Sequence, residues 1–322
     1  MRARIYGLAL AGIGIGATAA ARRRSVARIE AEFRRPRAAS GGPGERAPGP
    51  AGLPMTYDRV EEAIGYFTAD LEAVRALLPT SSLHPVRLPR ERTVVAISAG
   101  RYLEGTAPGT DPRFLPYAEV IVAAAVTPRP APPILPLVAP SLPIWGPTGA
   151  FCLYNPVSHR AARDAARDFG LPAFTADMEF EDGLTWDRVS VSDEAGLILR
   201  LTVNAAGPAR PQAERMVMYS AHDGALLRST STALGLARQH LGRAGGRLEL
   251  GDHPLAGALR ALGISAVPIV ARSYPDLRII IPAPVVVGTA DQYPGYAGTE
   301  REWGRYTVQR PGAGPVEVRL SA

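Results

Sequence analysis

The chain has 322 residues, and all 36 of its basic residues are arginine, so it contains no lysine. Lysine is the side chain that forms imines with carbonyl substrates, and imine chemistry on a side chain is therefore excluded. The single cysteine, Cys152, excludes an intramolecular disulfide framework, and it lies in no cluster of the kind that predicts a structural zinc ion.

The net charge of +6 comes from the N-terminal region. Residues 1–50 contain ten arginines and three glutamates, whereas the other 272 residues contain 26 arginines and 27 acidic residues. The main part of the chain is thus nearly neutral and lacks the basic surface that nucleic-acid binding requires. We predict no nucleic-acid partner.

An apolar stretch of 17 residues, from position 5 to position 21, is flanked by arginines on both sides. Three interpretations remain open. The stretch could be a membrane anchor that keeps the rest of the chain cytoplasmic, although a span needs about 20 residues. It could be a secretory signal cleaved near residues 17–19, but the three arginines that follow argue against export. It could also have little structure or lie upstream of the true start, which would then be Met55.

Composition divides the chain into four parts. These are an N-terminal arm (1–35), a linker rich in proline and glycine (36–55), one folded domain (56–288) and a C-terminal extension (289–322). Residues 12–17 form a loose Gly-x-Gly-x-x-Ala motif, but the linker follows instead of the second strand that a dinucleotide site needs. We therefore expect no cofactor. We expect a cytoplasmic protein, associated with a membrane only if residues 5–21 anchor it.

The first patterned segments of the folded domain are a helix, two strands and a loop. Thr68 can cap a short helix that Pro79 ends. Two apolar runs, residues 92–98 and 120–126, have the pattern of buried strands. The prolines at residues 130, 132, 133, 136, 140, 143 and 147 predict a loop or lid without regular structure.

A second helix and a series of strands follow this loop. Ser158 can cap a helix that closes at Gly170, and a shorter helix is predicted over residues 254–262. Turn sequences at residues 182–183 and 194–196 predict hairpins. The strands are predicted at residues 174–180, 187–191, 197–203, 214–219 and 277–281. Clustered strands with a few isolated helices predict an α+β fold built on antiparallel sheet.

The order of these elements, and the motifs between them, resemble the acetoacetate decarboxylase superfamily over roughly residues 60–285. The motifs are Leu77-Leu78-Pro79, Pro116-Tyr117-Ala118-Glu119, Arg167-Asp168-Phe169-Gly170-Leu171-Pro172 and Gly251-Asp252-His253-Pro254. The resemblance implies an antiparallel sheet folded into a cone or barrel, with a few packed helices, around a buried, largely apolar cavity. It also implies a small-molecule ligand and a homo-oligomer. The family's enzymes decarboxylate β-keto acids through an imine on a lysine.

Carrying the family's site residues over to this chain gives an incomplete catalytic set. The reactive lysine falls on Ala173, after a Gly-Arg-Glu motif that here reads Ala-Arg-Asp around Arg167. The family's cavity glutamate falls on Glu119, with Tyr117 retained two residues before it. The strand at residues 94–97 offers no counterpart of the family's second glutamate. The chain thus resembles a divergent member of the superfamily without the Schiff-base lysine.

The family's carboxylate-binding arginine has no secure match either, and Arg113 and Arg101 are the available substitutes. Arg167 could contact a ligand or brace the turn that follows it. We take Tyr117, Arg113, Arg167 and Ala173 as the candidate substrate-binding residues.

Glu119 is the candidate catalytic residue. Burial in an apolar cavity would raise its pKa and let it act as an acid or base near neutral pH. It could instead form a structural ion pair with Arg167 or Arg113. We expect the ligand to be a small carbonyl or carboxylate compound, converted by a lyase-type or enolisation step without an imine. The alternative is a non-catalytic carrier or sensor on the same fold.

Other polar pairs in the sequence do not predict a site. His222-Asp223 and Asp252-His253 place acids beside histidines, but neighbours on a strand point to opposite faces. The ligand spacing of a metal site is absent, and we predict no metal. His253, before Pro254, more simply caps or orders a turn. No serine lies in a Gly-x-Ser-x-Gly elbow, which argues against a Ser-His-Asp hydrolase.

Overall fold

The structure, a computed structural model, describes residues 26–33, 54–106, 116–131, 148–293, 295–296, 298, 301 and 303–318. The apolar stretch at residues 5–21, most of the proline-rich segment and Arg113 lie outside these ranges, so what we predict for them stays a prediction. Among the described residues, no helix is both long and apolar enough to cross a membrane.

Strands dominate the described part of the chain. The strands are β1 (Met55–Asp70), β2 (His84–Pro85), β3 (Arg92–Thr106), β4 (Tyr117–Thr127), β5 (Gly149–Val157), β6 (Ala173–Thr175), β7 (Asp177–Asp182), β8 (Trp186–Asp193), β9 (Gly196–Asn204), β10 (Arg210–His222), β11 (Ala225–Leu241), β12 (Gly246–Leu250), β13 (Val270–Ile281), β14 (Val285–Thr289), β15 (Tyr306–Gln309) and β16 (Val316–Glu317). The helices are α1 (residues 26–33), α2 (Leu71–Arg75), α3 (Arg160–Asp168) and α4 (Pro254–Ala261), with a 3₁₀ turn at Gly242–Gly245.

Seven strands of the larger sheet form a closed ring. The strand order is β2-β4-β3-β1-β13-β11-β10-β5-β6, and a further pairing of β4 with β5 closes the ring. Neighbours in the ring run antiparallel, except that β10 and β5 share a short parallel contact. This arrangement confirms the predicted α+β fold with a barrel of mainly antiparallel strands.

The alternation of side chains along β3 and β4 explains why the two strands have such apolar sequences. Val95 and Ile97 on β3 and Val120 on β4 point away from the barrel into the main hydrophobic core. Ser98 and Glu119 lie between these positions and line the barrel interior. Both faces of each strand are therefore covered, and polar side chains occur on the face that lines the interior.

A second sheet packs on the outside of the barrel. Its strand order is β12-β9-β8-β7-β15-β16. Phe67 and Ile97 of the barrel share one core with Val191, Leu199 and Leu201 of the second sheet. Near the C-terminus, β15 pairs in parallel with β7 and so adds the end of the chain to this sheet.

Helix α1 lies against the barrel through both apolar and polar contacts. Its Ile29 and Phe33 are buried, and the guanidinium of Arg278 lies 4.9 Å from the Phe33 ring centre. Its Glu32 forms an ion pair with Arg215 of β10 at 2.5 Å. Part of the segment that we assign to the N-terminal arm thus belongs to the folded body.

The predicted start of the first helix is wrong. Thr68 belongs to β1, where it pairs with Val94 of β3. Asp70 caps α2 instead, and its carboxylate accepts a hydrogen bond from the backbone N–H of Ala73 at 2.9 Å. The long antiparallel pairing of β1 with β3 holds Thr68 extended, so the helix begins later than the sequence indicates and spans one turn.

The predicted cap of α3 is wrong by one residue. The hydroxyl of Ser158 accepts a hydrogen bond from the backbone N–H of Ala118 at 3.0 Å, which ties it to β4. His159 is the cap, since its Nδ1 accepts a hydrogen bond from the backbone N–H of Ala162 at 3.1 Å. The C-terminal end is as predicted, with Gly170 at a φ of 71°, a left-handed conformation that favours glycine.

The remaining predicted elements agree with the structure apart from one division. The hairpins at residues 182–183 and 194–196 and the helix capped by His253 are confirmed. The predicted strand at residues 174–180 is divided into β6 and β7, which belong to different sheets.

Candidate functional site

A cavity of about 790 Å³ occupies the barrel interior. Its wall is formed mainly by the strands of the ring and by one face of α3. Most of that wall is apolar. The large apolar side chains on it are Met55, Ile64, Ile121, Phe169, Leu171, Met216, Met218, Ile279 and Ile281. Such a cavity suits a small, mostly apolar molecule that a few polar groups orient.

Glu119 lies on this wall and is 9% exposed. The Tyr102 hydroxyl forms a hydrogen bond with its carboxylate, and the Asn155 side-chain amide donates to its Oε2 at 3.5 Å. Burial raises the pKa of Glu119 above its usual value, although both hydrogen bonds act in the opposite direction. Tyr102 and Asn155 are thus the groups that hold Glu119, whereas Arg167 donates to the backbone carbonyl of Ala173.

Three tyrosines pack together beside Glu119. The hydroxyls of Tyr57 and Tyr117 lie 2.9 Å apart, within hydrogen-bonding distance. The rings of Tyr102 and Tyr117 are stacked, with centres 4.6 Å apart and an angle of 4° between their planes. All three tyrosines line the cavity, and Tyr117 lies there as the sequence motif predicts. Together they provide aromatic faces and hydroxyl groups on one side of the cavity.

Glu62 on β1 is a second acidic residue of the cavity that the sequence did not reveal. The Ser98 hydroxyl donates a hydrogen bond to its Oε1, while its buried Oε2 has no hydrogen-bond partner in the described part of the chain. Burial is the largest cause that raises the pKa of Glu62, to about 7, and the nearby charge of Glu119 adds to it. The sequence signal was alternation along β1, which the charged residues Asp58, Arg59 and Glu61 obscure.

Strand register brings the two glutamates into one row. Glu62 pairs with Gly100 of β3, and Gly100 pairs with Glu119 of β4. Because neighbouring strands are about 4.8 Å apart, the two glutamate Cα atoms lie roughly 10 Å apart. Gly100 places no side chain between them, and a Cβ there would meet the Tyr102 ring at 3.0 Å. The wall thus carries two carboxyl groups that face one space.

His159, which also lines the cavity, is another residue that the sequence did not single out. It is 3% exposed, and its ring lies edge-on to Tyr117 with centres 5.8 Å apart. Burial lowers the pKa of His159 to about 4, so the ring is neutral near pH 7. Since Nδ1 accepts the capping hydrogen bond, the ring proton lies on Nε2, for which the described residues offer no hydrogen-bond partner.

Two of the predicted ligand-binding residues lie outside the cavity wall. Ala173 is buried on β6, where it pairs with Asn155 of β5. The guanidinium of Arg167 donates to the backbone carbonyl of Ala173 at 2.9 Å and so braces this turn. Neither residue is among the described residues that line the cavity, so the ligand contact predicted for them has no support here.

The substitute arginines proposed from the sequence do not supply a cavity cation either. Arg101 is buried in ion pairs with Glu61 and Asp182, which makes it structural. Arg113 lies outside the described residues. Among those that are described, Arg215 is the one arginine on the cavity wall, and its partner is Glu32 of α1.

The sequence predicts no contact within either histidine–aspartate pair of neighbours, and this is wrong for one of them. His222 Nε2 lies 3.3 Å from Asp223 Oδ2, because Asp223 lies in the turn after β10 and not on the strand. The prediction is correct for Asp252 and His253. His253 caps α4 and pairs with the distant Asp193 at 2.9 Å rather than with Asp252. Tyr296 donates to the same aspartate at 3.2 Å, so this buried network holds the C-terminal segment to the β8–β9 hairpin. In the described part of the chain, no group of three or more His, Cys, Asp or Glu residues could hold a metal ion.

Comparison with solved structures places this fold among known ones. One similar structure is that of MppR, an enduracididine biosynthesis enzyme, with HEPES buffer bound. It has a TM-score of 0.54 and 13% sequence identity, and the match covers 78% of this chain and 97% of that chain. The structure of MppR with the condensation product of pyruvate and imidazole 4-carboxaldehyde has a TM-score of 0.53 and 14% sequence identity. This match covers 78% of this chain and 99% of that chain. The structure of an acetoacetate decarboxylase has a TM-score of 0.50 and 14% sequence identity, and the match covers 77% of this chain and 96% of that chain.

The chain therefore has the acetoacetate decarboxylase-like fold, which confirms at the level of fold the resemblance found in the sequence. No protein-family model matches the sequence, and no curated protein matches it. At identities of 13% and 14%, these likenesses describe the fold and carry no activity over to this chain.

Proposed function

We propose that this protein binds a small, mostly apolar carbonyl or carboxylate compound in the barrel cavity and enolises it without an imine. The observation that carries the proposal is Glu119, a buried carboxyl group with a raised pKa on the wall of an apolar cavity. Groups of this kind in a cleft are typical of general acid–base sites.

The step that we assign to Glu119 is removal of a proton from the carbon next to a carbonyl group. The C–H bond breaks, its electron pair forms the enolate, and the proton moves to the Glu119 carboxylate. A raised pKa makes that carboxylate a stronger base than an exposed glutamate. The reverse transfer returns the proton to carbon, so the step needs no other reactant. A leaving group on the next carbon would turn the same step into a lyase reaction.

Tyr117 is the residue that we propose to hold the carbonyl oxygen. It lies two residues before Glu119 on the same face of β4, and its hydroxyl is within hydrogen-bonding distance of Tyr57. MppR, which has a similar fold, has been solved in complex with pyruvate. That complex supports a carbonyl compound as the class of ligand here.

A carrier or sensor is the second function that the cavity allows. A lysine nucleophile is absent from the whole sequence, and Glu119 is held by two hydrogen bonds. Binding without a reaction would need only the apolar wall and its few polar groups. Measuring binding and turnover separately distinguishes the two functions.

The test is the variant Glu119→Gln with acetophenone as the probe, since its methyl protons exchange with D₂O only through the enol. We expect the variant to bind acetophenone within about 3-fold of the wild-type protein, because the shape of the side chain is kept. Exchange followed by NMR should fall by about 100-fold or more, as for the loss of a general base.

The control is Glu104→Gln, at an exposed glutamate of β3 that lies outside the cavity wall. This variant should exchange and bind as the wild-type protein does. Equal exchange by Glu119→Gln and wild type would disprove the role of Glu119. Binding by both proteins without exchange by either would favour the carrier.

A further inference from the structure

We propose that the part of the cavity around Glu62 binds a protonated amino group, so that the ligand is a carbonyl compound that also carries an amine. The inference rests on the proposed function only in taking the cavity as the ligand site. It adds a class of ligand that the carbonyl chemistry alone does not require.

The first observation is an unsatisfied acceptor. The Oε2 atom of Glu62 is buried and has no hydrogen-bond partner among the residues that the structure describes, whereas Oε1 accepts from Ser98. A buried carboxylate oxygen without a donor is costly, and native proteins usually satisfy it. An ammonium group has three N–H donors and a charge opposite to that of the carboxylate, so it suits this position.

The second observation is the balance of charge around Glu62. The charged groups that act on it are Glu119, Glu214 and Arg272. Arg272 forms an ion pair with Glu214, so its charge is largely neutralised. Two acids of the described wall, Glu62 and Glu119, therefore remain, and the arginine among the described wall residues, Arg215, is paired with Glu32. This balance favours a cationic ligand over an anionic one.

The third observation is the set of aromatic rings beside the two carboxyl groups. Tyr57, Tyr66, Tyr102 and Tyr117 all line the cavity. The negative face of an aromatic ring attracts an organic cation, and such rings combined with carboxylates form amine-binding sites. The guanidinium of Arg272 lies 5.9 Å from the Tyr66 ring centre, so this side of the barrel already holds one cation.

The geometry also orients the ligand relative to the proposed reaction. Glu62 and Glu119 lie in one row with Gly100 between them, roughly 10 Å apart at their Cα atoms. An amine at Glu62 would place the rest of the molecule toward Glu119 and Tyr117. The two ends of the ligand would then be recognised by different carboxyl groups.

The experiment compares phenethylamine, phenylacetate and acetophenone by titration calorimetry at pH 8 on wild type, Glu62→Gln and the exposed control Glu104→Gln. We expect Glu62→Gln to weaken phenethylamine binding by about 10-fold or more, the usual effect of losing one charge-assisted hydrogen bond. Acetophenone should change by less than about 2-fold, phenylacetate should bind no more weakly, and the control should match the wild type.

Proton release on binding is a second measurement, which would not change if the role of Glu62 were purely structural. A bound ammonium favours the ionised form of Glu62, so phenethylamine should release protons at pH 7 from the wild type and not from Glu62→Gln. Titrations in two buffers with different ionisation enthalpies measure this release.

Two results would overturn the inference. One is phenethylamine binding that is equal in wild type and Glu62→Gln. The other is an equal loss of phenethylamine and acetophenone binding in the variant, which would indicate a change of shape. Absence of acetophenone binding in the wild type would count instead against the proposed function, so the two failures are distinguishable.

Discussion

Glu62 links ionisation to folding, because its carboxyl group is exposed to water in the unfolded chain and enclosed in the folded protein. Its pKa rises from 4.5 to about 7, with burial as the largest cause. A raised pKa means that the folded state binds the proton more tightly than the unfolded state. The stability that this contributes is complete below pH 4.5 and is lost as the pH rises through 7.

We therefore predict that Glu62→Gln changes how stability depends on pH. Relative to the wild type, the variant should gain up to about 3 kcal/mol of unfolding free energy between pH 4.5 and pH 8, because its amide cannot ionise. Urea unfolding at several pH values measures this difference. A constant difference between the two proteins across that range would contradict an enclosed Glu62.

At the residue scale, the sequence predicted one of the two cavity acids. Glu119 is the glutamate of the Tyr-x-Glu motif, and an apolar run follows it directly. Its placement on an enclosed face could therefore be predicted. Glu62 comes after other charged residues, which hide its position. One of them, Glu61, lies on the opposite face of β1 and forms an ion pair with Arg101 of β3. Only the pairing with Gly100 reveals that Glu62 points into the barrel.

Single glycines decide how closely the elements approach one another. Gly251 lies just before α4, and a Cβ there would be 2.0 Å from the backbone carbonyl oxygen of Leu197 on β9. Gly257 lies within α4, where the nearest atom to a Cβ would be Nη1 of Arg260 at 3.9 Å. An added methyl group would therefore collide with backbone at position 251, whereas position 257 has room for it.

We predict that Gly251→Ala lowers the unfolding free energy by at least about 2 kcal/mol, since backbone must move to relieve the contact. Gly257→Ala should raise it by about 0.5–1 kcal/mol, the usual gain in a helix. Thermal unfolding of both variants checks the pair. A Gly251→Ala protein as stable as the wild type would contradict the close packing of α4 on β9.

At the element scale, the sequence predicted strands that are apolar and missed those that are mixed. β1 has 16 residues and many charged side chains, so its pattern did not indicate a strand. β11 has 17 residues, and the serines and threonines at residues 229–232 weaken its strand signal. Both strands are held by long pairings with two neighbours, and such pairings depend on parts of the chain far away in sequence.

At the scale of the whole molecule, closure of the strands into a barrel creates the cavity on which the proposed function depends. The pairing of β4 with β5 brings Glu119 opposite Val157, and it encloses the space that Glu62 faces from β1. The sequence could predict the fold family and the missing lysine. It could not predict which side chains share the cavity, because that depends on register across seven strands.

Carbonyl chemistry without an imine is the central claim, and borohydride tests it most directly. The protein is treated with borohydride in the presence of acetoacetate, dialysed, and assayed for exchange of acetophenone methyl protons in D₂O. We predict that exchange continues undiminished and that the mass of the protein does not change. Loss of exchange with an added mass on the N-terminal amine would contradict the account.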